Sequence, residues 1–140
     1  MLEILLAEDN PADVYLIQET LKEHGVAHPL QVAADGREVL DLIIGQADEA
    51  AGRFGLIILD LNLPRHDGIE ILERLKASST LSHVPVVVLT SSDSPRDRQV
   101  ATQLGARHYL RKPSSLEDFL NLGAVFKELL TENRTLGASE

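Results

Sequence analysis

Three apolar runs, Ile4-Leu5-Leu6-Ala7, Leu56-Ile57-Ile58-Leu59 and Val86-Val87-Val88-Leu89, are continuous rather than alternating. That pattern suits strands covered on both faces of a parallel sheet. Leu30, Val32 and Ala34 alternate with other residues, and Ala106 to Leu110 is a shorter candidate, so both read as flanking strands. Between the five strands lie segments of helical period. They carry Val14, Ile17 and Leu21; Val39, Leu40, Ile43, Ile44 and Ala47; Ile69, Ile71, Leu72 and Leu75; Val100, Ala101 and Leu104; and Leu116, Phe119, Leu120 and Leu122. Asn10-Pro11 and Ser94-Pro95 each place a cap residue before a proline at the first helical position. Asp67 with Glu70, and Ser115 with Asp118, resemble capping boxes, and Gly25 and Gly105 sit where helices should stop.

Five repeats of strand then helix predict an α/β domain, a five-stranded parallel sheet doubly wound with helices on both faces, because parallel crossovers are long and right-handed. The stretch from Gly45 to Phe54 is the least regular inside the chain and reads as a helix end and loop. Residues 131–140 are polar and small and read as a flexible tail behind a domain of residues 1–130. A length of 140 residues suits one compact core.

Functional groups in such sheets gather beyond the carboxyl ends of the strands, and polar residues fall there. Glu8-Asp9 follow the first strand, Asp60 closes the third, Thr90 closes the fourth, and Lys112-Pro113 follow the fifth. Three carboxylates in one place repel one another unless a cation neutralises them. Oxygen donors without Cys or nearby His favour magnesium or manganese over zinc. A carboxylate beside such a metal can attack a phosphoryl group and form an aspartyl phosphate. Lys112 would add a second positive charge and Thr90 a hydroxyl donor.

Charge and composition narrow the partners. Thirteen Lys and Arg against 22 Asp and Glu give a formal net charge of -9, which disfavours nucleic acid and anionic membranes. No apolar stretch approaches the roughly 18 residues of a membrane span, and the chain opens without a basic leader, so the expectation is a cytoplasmic protein. With no cysteine, thiolate chemistry is excluded. The histidines His24, His28, His66, His83 and His108 lack metal-ligand spacing and read as surface residues; Asp48-Glu49 reads as a solvated face. Ser91 and Ser92 have no histidine placed to activate them.

The motifs Ile4-Leu5-Leu6-Ala7-Glu8-Asp9-Asn10, Leu59-Asp60-Leu61-Asn62-Leu63-Pro64 with Asp67-Gly68, Leu89-Thr90-Ser91, and Tyr109 ahead of Lys112-Pro113 occur in order at these strand ends. In this the chain closely resembles the response-regulator receiver domains of two-component signalling systems, across about residues 2 to 130. The resemblance implies a flavodoxin-like sheet of strand order 2-1-3-4-5. It implies Asp60 as phosphoacceptor, Asp9 as direct metal ligand, Glu8 acting through a metal-bound water, and Asn62 contributing its backbone carbonyl. Thr90 and Lys112 would hold the phosphoryl group, and Tyr109 would change rotamer as Thr90 moves, with small Ser91 leaving room. The Lys112–Pro113 bond would be the place for a cis peptide. Asn62 and Ser92 would line the path of the hydrolytic water. The phosphoryl group would bias a two-state surface made by the fourth helix, fifth strand and fifth helix.

Such a protein is a switch rather than an enzyme, with a sensor histidine kinase upstream and a partner protein downstream. The longer interval between Asp9 and Asp60, the absence of an output domain, and the run Glu8-Asp9-Asn10-Pro11-Ala12-Asp13 resemble the stand-alone receivers paired with cyanobacterial and bacterial phytochrome kinases, which implies a homodimer through the output face. Three other functions weigh less. Aspartyl-phosphate phosphatases resemble Asp-x-Asp, whereas Asn62 stands at the second position and cannot titrate. A phosphorylation-independent interaction module would not need the intact pocket. A flavodoxin-like cofactor carrier would need Gly, Ser or Thr donors where Glu8-Asp9 stand.

Overall fold

The structure is a computed structural model that describes residues 2–44, 53–65, 67–79 and 81–138, with the backbone alone for 132–138. The expectations for Ala47, Asp48-Glu49, His66 and most of the Gly45–Phe54 stretch lie outside the described residues. Five strands, β1 (Glu3–Ala7), β2 (Leu30–Ala33), β3 (Phe54–Leu59), β4 (Val86–Thr90) and β5 (His108–Arg111), form one sheet of order β2-β1-β3-β4-β5. Every neighbouring pair is parallel. The described helices are α1 (Pro11–Glu23), α2 (Gly36–Ile44), α3 (Gly68–Ala77), α4 (Pro95–Gln103), α5 (Leu116–Leu120) and α6 (Gly123–Ala138).

The continuous apolar runs are the central strands, and successive side chains serve opposite faces. Leu5, Ala7, Ile57, Leu59, Val86 and Val88 pack with Val39, Leu40 and Ile43 of α2, Ile71, Leu72 and Leu75 of α3, and Ala101 of α4. Ile4, Leu6, Leu56, Ile58, Val87 and Leu89 pack with Ile17 and Leu21 of α1, Phe119 of α5, and Phe126, Leu129 and Leu130 of α6. Each buried Val, Leu, Ile or Phe among them contributes about 1.5–3 kcal/mol by leaving water, so the three central strands are the rigid frame of the site.

The predicted N-cap residues all bond the starts of their helices. The Asn10 side chain accepts from the N–H groups of Ala12 and Asp13, Asp67 from Ile69, Ser94 from Asp97 and Ser115 from Asp118. Gly25 and Gly105 follow the C-terminal caps of α1 and α4.

Several boundaries differ from the sequence expectation. β2 ends at Ala33, which is buried, while Ala34 lies outside the strand and is exposed. β5 starts at His108, two residues after Ala106. The fifth helical segment is two helices, because Thr20, wholly buried on α1, inserts its hydroxyl into the break. It donates to the Leu120 carbonyl and accepts from the Gly123 N–H at 2.9 Å, satisfying backbone groups that a continuous helix would have paired. A Cβ on Gly123 would lie 2.5 Å from the Thr20 carbonyl oxygen, so only glycine permits this approach. α6 then runs through Ala138, past the tail boundary expected at Thr131. His24 and His28 are half-buried rather than exposed, each ring donating through Nδ1 to a backbone carbonyl, of Thr20 at 2.9 Å and Leu2 at 2.7 Å. His83 and His108 are exposed as expected.

Candidate functional site

The sheet order places the site. The chain winds from β1 outward to β2, then crosses back to β3 on the other side of β1, and a crevice opens beyond the carboxyl ends at that reversal. Ala7 pairs with Leu59, so the residues that follow, Glu8 and Asp60, leave the sheet side by side. Thr90 pairs with Arg111, which brings Lys112 next to the end of β4. Backbone hydrogen bonds extend this order past the strands: Asp60 N to Ala7 O at 3.0 Å, Glu8 N to Ala33 O at 3.0 Å, and Lys112 N to Thr90 O at 2.8 Å.

Four of the groups that converge there are out of solvent. Glu8 is 2% exposed, Asp60 4% and Thr90 0%, and the Lys112 side chain is 13% exposed. Asp9 is exposed at the mouth. Carboxylate oxygens of Glu8, Asp9 and Asp60 all lie within 4.8 Å of one another. The Lys112 Nζ donates to Glu8 Oε2 at 2.8 Å, Asp60 Oδ2 at 2.9 Å and Asp13 Oδ2 at 2.8 Å.

Asp60 Oδ1 accepts from the Asn62 N–H at 3.0 Å, a short turn that folds the loop back over the carboxylate. The exposed Asn62 also sends Nδ2 to Thr90 Oγ1 at 3.2 Å, and Ser92 N lies 3.4 Å from that hydroxyl. Gly68 presses the start of α3 against this loop, with its N–H on the Leu61 carbonyl at 3.1 Å. A Cβ there would meet the Leu61 Cα at 2.5 Å, so backbone has to move. Gly68→Ala is therefore expected to destabilise the fold by about 1–3 kcal/mol in urea denaturation.

Tyr109 is 7% exposed and donates its hydroxyl to the Ser92 carbonyl at 3.1 Å, so one loop touches both the Thr90 hydroxyl and the aromatic. Ser91 is exposed beside Thr90. The Lys112–Pro113 peptide is trans, which corrects the expected cis bond. A trans X–Pro bond is favoured by about 0.5–1 kcal/mol in any case, and with it Lys112 already reaches Asp60.

Three groups escaped the sequence reading. Asp13 binds Lys112; in the sequence it stands as the last residue of the run from Glu8 and as an acid in the first turn of α1, with no role assigned. Asp97 accepts from Ser92 Oγ at 2.8 Å. Arg98 stacks its guanidinium 4.8 Å from the Tyr109 ring centroid, an interaction that no local pattern announces.

The electrostatics follow from three carboxylates on one ammonium, with that of Asp9 beside two of them. Burial pushes the Glu8 carboxyl up from 4.5 to about 7, outweighing the Lys112 and Asn10 hydrogen bonds that pull it down, and Asp60 adds repulsion. For Lys112, burial works against the charge, but the hydrogen bonds it donates to Asp13, Glu8 and Asp60 outweigh it and hold the ammonium well above the ordinary lysine range. The surplus negative charge and the oxygen-only donors of Glu8, Asp9 and Asp60 fit a hard divalent cation.

Comparisons with known proteins agree with this geometry. Residues 4–122 match the response regulator receiver domain family. The response regulator Rcp1 of Synechocystis sp. is 37% identical over 137 residues, covering 97% of this chain and 93% of Rcp1. The crystal structure of the Mn²⁺-bound form of Rcp1 superposes with a TM-score of 0.79 at 38% identity, covering 88% of this chain and 89% of that one. The phosphorylated cyanobacterial phytochrome response regulator RcpA superposes with a TM-score of 0.81 at 37% identity, covering 92% and 93%. With the sheet order, the strand-end residues and the family match in agreement, this chain belongs to the response regulator receiver domains of two-component signalling.

Proposed function

We propose that the protein is a phosphoacceptor switch in which Asp60 takes a phosphoryl group from a sensor histidine kinase in a Mg²⁺-dependent reaction. One observation carries this reading: the Lys112 ammonium lies 2.9 Å from Asp60 Oδ2, in a pocket where oxygens of Glu8, Asp9 and Asp60 fall within 4.8 Å. An Asp60 oxygen forms the new bond to phosphorus as the P–N bond of a phosphohistidine breaks, and the imidazole leaves with the electron pair. Lys112 and the Thr90 hydroxyl donate to the transferring oxygens. Asp9, Asp60 and the Asn62 carbonyl would hold Mg²⁺, with Glu8 acting through a bound water, and the ion would offset charge on the phosphoryl group. The Mn²⁺-bound form of the similar Rcp1 supports a divalent site of this kind.

Tyr109 is the element we expect to respond. As Thr90 turns to the phosphoryl group, its hydrogen bonds with Asn62 and Ser92 break, and Ser92 is also the acceptor for Tyr109. The change then leaves through α4, β5 and α5 to a downstream protein, and Ser91 leaves the ring space to move. Likeness to Rcp1 and to the phytochrome response regulator RcpA supports a phytochrome-type kinase as donor and a homodimer through the same face. No helix among the described residues is long and apolar enough to cross a membrane, and a cytoplasmic location goes with this reading. The proposed switch comprises residues 1–130 and loses its phosphoryl group by slow self-catalysed hydrolysis.

Incubation with acetyl phosphate tests the reading. Intact mass should gain one phosphoryl group with Mg²⁺ and none with excess chelator; no gain in either, or equal gain in both, overturns it.

A pH dependence follows from Glu8. Its carboxyl, raised to about 7, keeps its proton below that pH and must lose it to serve a cation, so binding releases protons. Mg²⁺ affinity measured by calorimetry should rise between pH 6 and 8 and level off above. A flat profile across that window would contradict the raised Glu8 carboxyl.

A further inference from the structure

We propose that Asp13 is a positioning residue that keeps Lys112 beside the pocket when a divalent cation claims Glu8 and Asp60. The inference rests on the reading of the pocket given above and adds a residue to it. An ammonium has three N–H donors, and Lys112 commits all three to carboxylates, at 2.8, 2.8 and 2.9 Å. Two of those partners, Glu8 and Asp60, belong to the carboxylate group that a cation would occupy; Asp13 does not. Its side chain is 18% exposed against 1% for Glu8 and 5% for Asp60, so it sits on the solvent side of the ammonium.

A cation that draws on Glu8 and Asp60 therefore takes two of the three partners of Lys112 and places like charge beside it. Asp13 is the partner that remains. Fixed on the first turn of α1, whose start Asn10 caps, it holds the ammonium out of the cation's place yet within reach of a group attached to Asp60. Without Asp13, Lys112 has among the described residues only Glu8 and Asp60 to pair with, and competes with the cation for them.

A double-mutant cycle read by Mg²⁺ calorimetry tests this. Asp13→Asn should weaken Mg²⁺ binding about tenfold when Lys112 is present, and by no more than about threefold in a Lys112→Met background. Equal losses in both backgrounds would mean that Asp13 acts only through space or as a direct ligand, and would overturn the proposal; so would no loss in either. Should Lys112→Met not fold, the ¹⁵N signal of the Lys112 ammonium in Mg²⁺-saturated protein decides. It should exchange slowly in wild type and vanish in Asp13→Asn, and its persistence would overturn the proposal. If wild type neither binds Mg²⁺ nor gains a phosphoryl group from acetyl phosphate, the reading of the whole pocket fails; if it does both and the cycle is additive, only the role of Asp13 fails.

Discussion

Asp60→Asn is expected to lower the rate of phosphoryl incorporation from acetyl phosphate by at least ~10³-fold while leaving the fold no less stable. The amide has no anionic oxygen to attack phosphorus. Removing one member of a buried ion pair ordinarily costs about 3–5 kcal/mol because a charge is left unpaired. Here Lys112 keeps Glu8 and Asp13 at 2.8 Å each, so it is not left alone. Asp60 also repels the Glu8 carboxylate, and its loss lets the raised Glu8 value fall back toward 4.5. The sign follows from linkage: a carboxyl whose folded value is raised binds more protons in the native state between 4.5 and about 7, so its contribution to stability falls as pH rises through that window. With the folded value lowered, that loss shrinks. Urea midpoints at pH 8 without Mg²⁺ should be equal to or above those of wild type. A variant that loses both stability and phosphorylation would mean that Asp60 serves the fold first.

Lys112→Met is expected to slow phosphorylation too, about 10²-fold, but unlike Asp60→Asn to destabilise the metal-free protein, by about 3 kcal/mol at pH 8. It removes the ammonium from three carboxylates, two of which are almost entirely buried. Glu8 loses its strongest downward pull and is left to burial and to repulsion by Asp60, so its folded value rises further. The native state then holds its proton to higher pH, and stability falls as pH climbs from 4.5 through the new folded value. The defect should therefore shrink at pH 5.5 and again on adding Mg²⁺, which neutralises the same carboxylates. Paired urea titrations at pH 5.5 and 8, with and without Mg²⁺, check this. A loss independent of both would point to packing of the lysine stem instead of its charge.

What could be read from the chain depended on how local the cause was. The runs at Ile4, Leu56 and Val86 announced central strands because burial on both faces leaves no polar position. Their ends then named Glu8, Asp60 and Thr90 as neighbours, since parallel register carries Ala7 beside Leu59. β2 and β5 were placed less well because they lie at the edges of the sheet, where half-exposed residues such as Leu30 and Leu110 blur the pattern. The break between α5 and α6 depends on Thr20, 100 residues before the carbonyl it reaches, and no periodicity near Leu122 records it. Asp13 is 99 residues from Lys112, and to the local eye it is a first-turn helix acid. The stacking of Arg98 on Tyr109 joins a helix to the neighbouring strand and is equally silent in the sequence.

The most direct test of the account is to trap and map the adduct. Wild-type protein incubated with acetyl phosphate and Mg²⁺, reduced with borohydride and digested, should yield a single modified peptide, with the reduced residue at position 60. Modification at Asp9, Glu8 or a serine of the β4–α4 loop, or none in folded protein, would contradict it.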